Sequence, residues 1–324
     1  MTTEHEQNKK VLVVSHFDAD GLASIIVLKN FYKNVTYHIM NYRRPTIDER
    51  IDKLIHNNYV KQFDLIYITD LNFTKKQLDK IISQGVPIIY LDHHNAEEGV
   101  HNPSKNRYIV KEVCGAMLTK NYIENKFNVD LSHLNLYLKY IQDYDLWDHK
   151  YMLSKPLNYV FDMYRDRDEY IERFMNGMKD DNDLIREEQE FIFKRINDIN
   201  NYWDNLVVYD LPMKDNFTAI MNTSFDMVNE MADKVFKDIE YSDIELVICV
   251  TSKTSCALRT RQRDNYNIGK VVSELGIGGG HPHAAGCVLD ARLDDDKKLE
   301  VFAIIAEKFR KGLQRLNPNA LALG

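Results

Sequence analysis

Cysteine is scarce in this 324-residue sequence, which contains only Cys114, Cys249, Cys256 and Cys287. No two of them form a C-x-x-C pair, and each lies beside apolar or small residues. A disulfide framework or a zinc cluster would need cysteines at closer and more regular spacing. We therefore expect four buried free thiols, the usual state of isolated cysteines.

Long apolar runs and an excess of basic residues are also missing. No stretch approaches the about 18–20 apolar residues of a membrane span, and the polar N-terminus MTTEHEQNKK lacks the apolar core of a signal peptide. These features predict a cytoplasmic protein without membrane contact. The formal net charge is −7. Any contact with a polynucleotide must therefore depend on a local basic patch or on metal ions.

Strands and helices alternate in the first part of the chain. Apolar, β-branched segments predict strands at residues 11–15, 35–40, 64–69 and 87–91. Thr46 and Thr74 are predicted to cap two of the intervening helices, and Gly85 to end the second. We interpret Gly21 as the end of the loop after the first strand. This alternation predicts an α/β fold with a doubly wound parallel sheet.

The chain is long enough for two domains. Helical patterns predominate from about residue 114 to 203, and we interpret the charged segment after Gly177 as a linker helix. The predicted units are a catalytic domain at 1–178, the linker helix at 179–204 and a smaller mixed α/β domain at 205–324. In the last of these, the sequence predicts strands at 206–211 and 217–222, a helix, two strands within 246–261, a glycine-rich loop and a final helix.

Acidic and imidazole side chains follow the predicted strand ends. They form four clusters, His16-Phe17-Asp18-Ala19-Asp20-Gly21, Asp70, Asp92-His93-His94 and Asp143-Tyr144-Asp145. In an extended backbone the side chains of residues 16, 18 and 20 point the same way. Because the carboxyl ends of parallel strands meet at one edge of a sheet, we expect the clusters to converge there.

Such a concentration of carboxylates favours bound cations. Desolvated like charges repel, and a cation relieves the repulsion. Carboxylate and imidazole ligands together suit Mn²⁺ better than Mg²⁺ or Ca²⁺. Two ions about 3.5–4 Å apart could clamp the attacking and leaving oxygens of a phosphoryl displacement and activate a bridging water. Each cluster alone is also typical of a turn or a helix cap, so the prediction depends on their coincidence.

The second domain contains a glycine and histidine motif, GGGHPHAAG, at residues 278–286. Its glycines could expose backbone N–H groups to a phosphate, and His281 and His283 add donors. Arg259 and Arg261 are predicted to lie on the same face of the preceding strand, and arginine binds phosphate in bidentate fashion. We predict substrate binding by a set of five residues, namely Arg259, Gly279, Gly280, His281 and His283.

Together, the H-x-D-x-D-G motif at 16–21, Asp70, the D-H-H motif at 92–94 and GGGHPHAAG resemble the DHH–DHHA1 phosphoesterase family. The family includes RecJ-type exonucleases, nanoRNases, cyclic-dinucleotide phosphodiesterases and, more distantly, family II pyrophosphatases. The resemblance implies two Mn²⁺ ions per chain, with Mg²⁺ or Co²⁺ as possible substitutes. Dimers are common in the family, so a homodimer is one expected state.

The resemblance also implies residue roles. His16, Asp18 and Asp70 would hold the first ion, and Asp20, His93, a bridging Asp70 and an aspartate of the fourth motif would hold the second. His94 and Asp92 would be the catalytic residues. His94 would contact the scissile phosphate, and Asp92 would support the site from close by. Arg259 and His281 would bind the phosphates or terminal nucleotide of the substrate across the cleft between the domains.

The fourth motif leaves two candidates open. The T-D-T-G sequence of many family members is absent, and Q-D-Y-D-L-W stands instead. This sequence is similar to the Y-D-x-W form of a second nanoRNase branch, which Asp145 matches best. Asp143 is the ligand if the first aspartate of D-x-D-L-W is used.

The resemblance implies phosphodiester hydrolysis, and the favoured substrates are short. The motif HFDADG at residues 16–21 is closer in sequence to RecJ-type enzymes. Those enzymes usually add an OB-fold, and without it a long single strand has little surface to bind. We therefore expect hydrolysis of short RNA or DNA oligonucleotides, including linear dinucleotides, to 5′-mononucleotides. The alternatives are a RecJ-like single-strand DNA exonuclease, a cyclic (di)nucleotide phosphodiesterase, a 3′,5′-bisphosphate nucleotide phosphatase and a non-catalytic nucleotide sensor. The complete set of candidate ligands argues against the sensor.

Overall fold

The computed structural model of the chain describes residues 3–41, 46–94, 98–210, 217–261, 267–280 and 283–316. The chain divides into two compact units, Met1–Phe193 and Lys194–Gly324. This division falls inside the helix Arg186–Asp204. We label this helix α9, because eight α-helices precede it along the chain. The domain boundaries at 178 and 204 that we expected from the sequence stay a prediction.

A parallel sheet forms the centre of the first unit. Its strands, β1 to β5, are Lys10–His16, Asn34–Met40, Leu65–Thr69, Ile88–Asp92 and Arg107–Ile109. They pair in the order β2-β1-β3-β4-β5, and each pair is parallel. The four predicted strands match β1 to β4 to within one residue at each end. β5 was not predicted, because three residues are too few to show a periodic pattern.

Helices cover both faces of this sheet. Helices α1 to α8 are Thr3–Gln7, Ala19–Phe31, Ile47–Ile55, Lys75–Ile82, Gly115–Phe127, Asn135–Asp145, Ser154–Met163 and Arg167–Phe174. Thr46 and Thr74 cap α3 and α4 through complete capping boxes, which confirms the sequence prediction. Beyond α4, Gly85 adopts a φ of +81°, a left-handed conformation that favours glycine.

The buried residues of β1 alternate between two apolar clusters. Val11 and Val13 belong to one cluster together with residues of α2 and α5, whereas Leu12 and Val14 belong to another that includes residues of α3 and α4. A strand whose two sides are both buried must lie between two layers of helices. The predicted doubly wound α/β fold is therefore confirmed.

Gly21 is part of α2, so our assignment of this glycine to the preceding loop was wrong. The helix begins at Ala19, and the carboxylate of its N-cap, Asp18, accepts a hydrogen bond of 2.9 Å from the Gly21 amide. A Cβ at Gly21 would lie 2.2 Å from the carbonyl oxygen of His16. Glycine therefore allows α2 to begin directly above the end of β1.

The second unit contains a mixed sheet. Strands β6 to β11 are Val208–Asp210, Thr218–Asn222, Leu246–Val250, Ser255–Thr260, Gly278–Gly280 and Ala284–Val288, and helices α10 to α12 are Val228–Lys237, Ile268–Glu274 and Asp295–Leu316. The strand order is β10-β11-β9-β8-β7-β6. β7 and β8 are parallel, and the other neighbours are antiparallel. This confirms the predicted mixed α/β unit.

The predicted glycine-rich loop is partly a strand. Gly278–Gly280 forms β10 at the edge of the sheet, and neither β11 nor α11 was predicted. Glycine has little intrinsic strand preference, so its pattern reads as a turn. In the structure, a Cβ at Gly278 would lie 2.0 Å from the Gly286 carbonyl oxygen, so these glycines allow two strands to approach closely.

All four cysteines are buried and free, as predicted. Over the ranges that the structure describes, none of the helices has both the length and the apolar character that a bilayer span requires.

Candidate metal centre

The ends of β1, β3, β4 and α6 bring seven acidic and imidazole side chains together. Their ligand atoms form three groups, within each of which the atoms lie within 4.8 Å of one another. The groups are His16 with Asp18 and Asp70, Asp20 with His93 and Asp145, and Asp70 with His93 and His94. The first two groups contain residues that the resemblance implies for two separate ions. The third group was not predicted. It places a ligand atom of His94 within 4.8 Å of ligand atoms of Asp70 and His93.

His16 and Asp18 form a close pair at the end of β1. The His16 Nδ1 atom lies 2.5 Å from Asp18 Oδ2. Burial lowers the pKa of His16, but the neighbouring Asp18 carboxylate more than offsets this and the pKa is raised. Burial raises the pKa of Asp18, and the contact with His16 more than reverses that effect, so the pKa is lowered. Without a metal ion, the pair is therefore stabilised in its charged form.

Asp20 lies against the N-terminus of α5. Its two carboxylate oxygens accept hydrogen bonds from the backbone amides of Gly115, at 2.6 Å, and Ala116, at 2.9 Å. Asp20 is only 2% exposed, and burial together with the Asp145 carboxylate raises its pKa to about 7. The amides of α5 therefore fix the direction of this carboxylate while leaving it in a crowded acidic environment.

Gly115 makes this arrangement possible. A Cβ at this position would lie 2.7 Å from Asp70 Cβ and 2.9 Å from Asp20 Oδ2. Any side chain here would displace one of the two carboxylates.

The sequence argument for the convergence of residues 16, 18 and 20 was wrong in its geometry. Asp18, the N-cap of α2, is still in extended backbone, but Asp20 lies in the first turn of the helix, so residues 16–20 do not form one extended segment. They converge because a strand end and a helix start meet at one point. Asp18 lies beside His16 in one group, and Asp20 faces His93 and Asp145 in the other.

Asp70 has an unusual backbone conformation directly after β3. Its φ is +53°, which is uncommon for a residue with a side chain. Its amide donates to the Leu91 carbonyl at 3.0 Å, and the side chain is 1% exposed. Burial, followed by repulsion from Asp18 and Asp20, raises the pKa of Asp70 well above its ordinary value. Such local strain is often found at functional sites.

The D-H-H motif places two imidazoles beside Asp70. His93 Nε2 lies 3.2 Å from Asp70 Oδ1 and 3.4 Å from Asp145 Oδ2. Burial and the neighbouring His94 lower the pKa of His93, which favours the neutral ring that a metal ion requires. His94 Nδ1 lies 2.6 Å from Asp92 Oδ1. Burial lowers the pKa of His94, but the contact with Asp92 outweighs burial and raises it.

Asp92 orients the motif. It is fully buried, and its carboxylate accepts hydrogen bonds from the backbone amides of His93 and His94 and from the Tyr90 hydroxyl, which lies 3.1 Å away. Asp92 is absent from the three ligand groups. Its hydrogen bonds hold the backbone of the motif in place, and the supporting role that the resemblance implies for it stays a prediction.

The two aspartates of the fourth motif have different surroundings. Asp145 belongs to a ligand group, and burial and the Asp18 carboxylate raise its pKa to about 7. Asp143 instead accepts hydrogen bonds from the Lys150 and Tyr151 amides at 2.9 and 3.1 Å. These bonds close a loop in which Trp147 and His149 have positive φ values. The geometry therefore favours Asp145 as the ligand and does not support Asp143 in that role.

Substitution of each aspartate would separate their roles. We expect Asp143→Asn to lower the free energy of unfolding by about 1–3 kcal/mol, because the amide nitrogen cannot accept from a backbone N–H, while Mn²⁺ binding persists. Asp145→Asn should lose Mn²⁺ binding without destabilising the metal-free chain. Urea unfolding and calorimetric titration measure the two quantities. Loss of Mn²⁺ binding in Asp143→Asn, with binding retained in Asp145→Asn, would contradict this assignment.

The cluster fits divalent cations. Asp70 Oδ2 and Asp145 Oδ2 are buried and have no hydrogen-bond partner among the described residues. A buried carboxylate oxygen without a partner is costly unless a cation neutralises it. The donors are carboxylates and imidazoles, a combination that suits Mn²⁺.

This electrostatic arrangement predicts a pH-dependent effect of metal on stability. Asp20 and Asp145 have pKa values of about 7 in the folded chain, compared with about 3.9 in an unfolded chain. Between these values the folded metal-free chain binds more protons than the unfolded chain, so their contribution to stability falls as pH rises. Divalent ions need the charged carboxylates. We expect Mn²⁺, compared with EDTA, to raise Tm more at pH 8 than at pH 5.5; an equal or smaller increase at pH 8 would argue against the cluster as the ion site.

The candidate substrate residues lie in the second unit. Arg259, on β9, donates from Nε and Nη2 to Asn229 Oδ1 at 2.9 and 2.7 Å. Gly279 and Gly280 belong to the exposed strand β10, and His283 Nδ1 lies 3.1 Å from the Thr260 hydroxyl. His281 lies outside the described residues. The roles of all these residues in substrate binding stay predictions.

Arg261 does not share the setting of Arg259. Its guanidinium donates to backbone carbonyl oxygens of Ile244, Phe236 and Tyr241. These bonds hold it to the segments around the end of α10. Both arginines therefore contact α10, on the same face of the sheet as predicted, but the Arg261 guanidinium is held by backbone carbonyl oxygens.

Sequence reasoning missed two residues that shape the cluster, Gly115 and Tyr90. Gly115 stands at the start of a helical segment, where the only signal was a glycine at the first position. Tyr90 looked like an ordinary strand residue, but its hydroxyl contacts Asp92 and donates to the Leu71 carbonyl at 2.6 Å. Neither role could be recognised without the partner segments.

Comparison with known proteins identifies two domain families in the chain. Residues 10–145 match the model of the DHH family N-terminal domain, and residues 216–311 match that of the DHHA1 domain. A 3′,5′-cyclic-nucleotide phosphodiesterase from Helicobacter pylori is 23% identical over 155 residues, covering 43% of this chain and 44% of that protein. The matched region thus spans less than half the length of this curated relative.

Solved structures share the fold. RecJ from Thermus thermophilus, in complex with Mn²⁺, superposes with a TM-score of 0.62 at 14% identity, covering 95% of this chain and 53% of that one. The pGpG-specific phosphodiesterase PggH from Vibrio cholerae superposes with a TM-score of 0.53 at 13% identity, covering 94% and 100%. Since both domain models match in the expected order, the chain belongs to the DHH–DHHA1 phosphoesterase family.

Proposed function

We propose that this protein is a metal-dependent phosphoesterase that hydrolyses short single-stranded oligonucleotides or linear dinucleotides to 5′-mononucleotides, with two Mn²⁺ ions. The observation that carries the proposal is the pair of ligand groups at and beside Asp70, in which the buried oxygens Asp70 Oδ2 and Asp145 Oδ2 have no hydrogen-bond partner among the described residues. The cytoplasmic location expected from the sequence stays a prediction.

The protein's part in the proposed chemistry is to hold charged groups in place. We assign His16, Asp18 and Asp70 to one ion and Asp20, His93 and Asp145 to the other, with Asp70 between them. Divalent ions in such a site neutralise phosphate charge and lower the pKa of water.

We assign contact with the scissile phosphate to His94. Asp92 engages its Nδ1 atom and raises its pKa, which favours the protonated ring. We therefore assign its Nε2 atom as the donor to a phosphoryl oxygen, with Asp92 as the positioning residue.

Short substrates are favoured by charge and by similarity. The formal net charge of −7 disfavours a long polyanion. One structural neighbour, which the alignment covers completely, is a phosphodiesterase specific for the linear dinucleotide pGpG. Mn²⁺ is favoured by the ligand types and is the ion in a RecJ neighbour.

A substrate series tests the proposal. The full chain is incubated with Mn²⁺ and labelled single-stranded 2-mers to 5-mers, a long DNA strand, cyclic mono- and dinucleotides and adenosine 3′,5′-bisphosphate. We expect 5′-mononucleotides from the short oligomers, with kcat/KM at least tenfold above that for the long strand. No release from any oligomer would reject the proposed substrate class, and faster degradation of the long strand would favour a RecJ-like exonuclease.

A cyclic-nucleotide phosphodiesterase is the second candidate. The activity of the Helicobacter pylori relative, a 3′,5′-cyclic-nucleotide phosphodiesterase, favours it. Ring opening of a 3′,5′-cyclic nucleotide at a higher kcat/KM than cleavage of any 2-mer would select this candidate.

A further inference from the structure

A large cavity lies in the second unit, apart from every residue assigned above. Its volume is about 830 Å³, within the range of small-molecule sites. It opens at the carboxyl ends of β7 and β8, the parallel pair of the sheet. Ligands of α/β sheets bind preferentially at the carboxyl ends of parallel strands. Residues of α9, β6 and α12 complete its wall.

The cavity and Arg259 lie on opposite faces of the sheet. The cavity residues Ile220 and Phe302 belong to the apolar cluster that also contains Leu258. Successive residues of a strand face opposite sides, so Arg259 faces away from this cluster, where it contacts Asn229 of α10. A ligand in the cavity would therefore not occupy the surface around Arg259.

Aromatic rings form one side of the cavity. Tyr209, on the edge strand β6, pairs in register with Ile220, so both side chains lie on the same face of the sheet. Tyr209 is 54% exposed. The Tyr202 hydroxyl accepts a hydrogen bond of 2.9 Å from the Ser224 amide, which fixes a second ring in the wall. An exposed ring, Tyr209, beside a half-buried one, Tyr202, is suited to stacking on a flat heterocycle.

Another part of the lining is polar and carries a basic residue. Asn222 at the end of β7 and the residues 223–224 and 251–253 contribute amide and hydroxyl groups. The Thr223 amide donates to the Val250 carbonyl at the end of β8, at 3.1 Å. Lys253 is exposed and forms no hydrogen bond or ion pair within the part of the chain that the structure describes. Lys298 pairs with Asp295 at 3.0 Å, so these two charges cancel. Lys253 therefore gives the residues that line the cavity a net charge of +1. Lysine surrounded by hydroxyl groups is suited to phosphate.

From these features we propose that the cavity is a second nucleotide-binding site, with the base against Tyr209 and the phosphate at Lys253 and the hydroxyl groups. A mononucleotide combines a flat heterocycle for the tyrosine rings with an anion for the lysine and the hydroxyl groups. The inference goes beyond the proposed function, since binding here needs neither the metal centre nor hydrolysis.

Photolabelling tests the site in the full chain. With EDTA present to prevent turnover, 8-azidoadenosine 5′-monophosphate is cross-linked and the labelled peptides are identified by mass spectrometry. We expect labelling at Tyr209 or Tyr202 that excess AMP suppresses and that excess adenosine suppresses at least tenfold less effectively. Lys253→Ala should reduce this labelling at least tenfold, whereas the exposed control Lys270→Ala should label as the original chain does.

The proposal is overturned if no cavity residue is labelled, if adenosine competes as well as AMP, or if Lys253→Ala labels like Lys270→Ala. Circular dichroism of each variant confirms that it is folded. Turnover with Mn²⁺ is measured separately on the same preparations, so failure of the cavity proposal and failure of the hydrolase proposal give different results.

Discussion

Asp70→Ala is expected to reduce kcat/KM for a short oligonucleotide by roughly 10³-fold or more, equivalent to about 4 kcal/mol of transition-state stabilisation. Asp70 lies in two of the three ligand groups and has a buried oxygen with no hydrogen-bond partner in the described structure. Its loss would therefore remove a ligand of the first ion and the carboxylate that lies 3.2 Å from His93, a ligand of the second. Steady-state kinetics with Mn²⁺ in excess measures the effect.

A conservative variant separates loss of metal from loss of folding. Asp70→Asn keeps the shape of the side chain, and asparagine tolerates the φ of +53° at this position. Because burial and neighbouring carboxylates raise the pKa of Asp70, an uncharged amide should leave the metal-free Tm unchanged or raise it. The increase in Tm caused by Mn²⁺ should disappear. Near-normal turnover in either variant would count against Asp70 as the residue shared by two ions.

Gly115→Ala is expected to reduce kcat/KM by about 10–100-fold, although the substitution adds only one methyl group. The added carbon would lie 2.7 Å from Asp70 Cβ and 2.9 Å from Asp20 Oδ2, so a carboxylate or the start of α5 must move. Misplacement of catalytic groups by about 1 Å can cost about 10²-fold in rate. Kinetics and Mn²⁺ titration of the variant measure the effect.

Gly85→Ala provides a matched control. Gly85 has a φ of +81° and lies outside the ligand groups, so alanine there should destabilise the chain by about 1 kcal/mol through backbone strain alone. We expect this variant to keep its turnover below its Tm, whereas Gly115→Ala loses turnover at the same temperature. Equal turnover in the two variants would show that the approach of α5 to the ligands is unimportant.

Local signals in the sequence were sufficient for the parallel sheet and for most of the candidate ligands. Buried strands such as β1 are short apolar runs, and Thr46 and Thr74 have their capping partners three residues away, so each pattern is complete within a few residues. Asp70 and the D-H-H motif could be placed because they directly follow such strands.

Features that depend on distant segments could not be predicted. The roles of Asp143 and Asp145 differ because one meets the Lys150 and Tyr151 amides while the other faces His93, and their spacing along the chain cannot show this. Gly115 matters because of Asp20, which is 95 residues away in sequence. The strand at Gly278–Gly280 likewise exists through its pairing with β11, since its own residues favour a turn.

Anomalous diffraction at the manganese absorption edge, from crystals of the full chain grown with Mn²⁺, tests the central claim most directly. Our account predicts two peaks about 3.5–4 Å apart, one beside His16 and Asp18 and the other beside Asp20, His93 and Asp145, with Asp70 between them. Crystals saturated with Mn²⁺ that show no peak within coordination distance of Asp70 would contradict it.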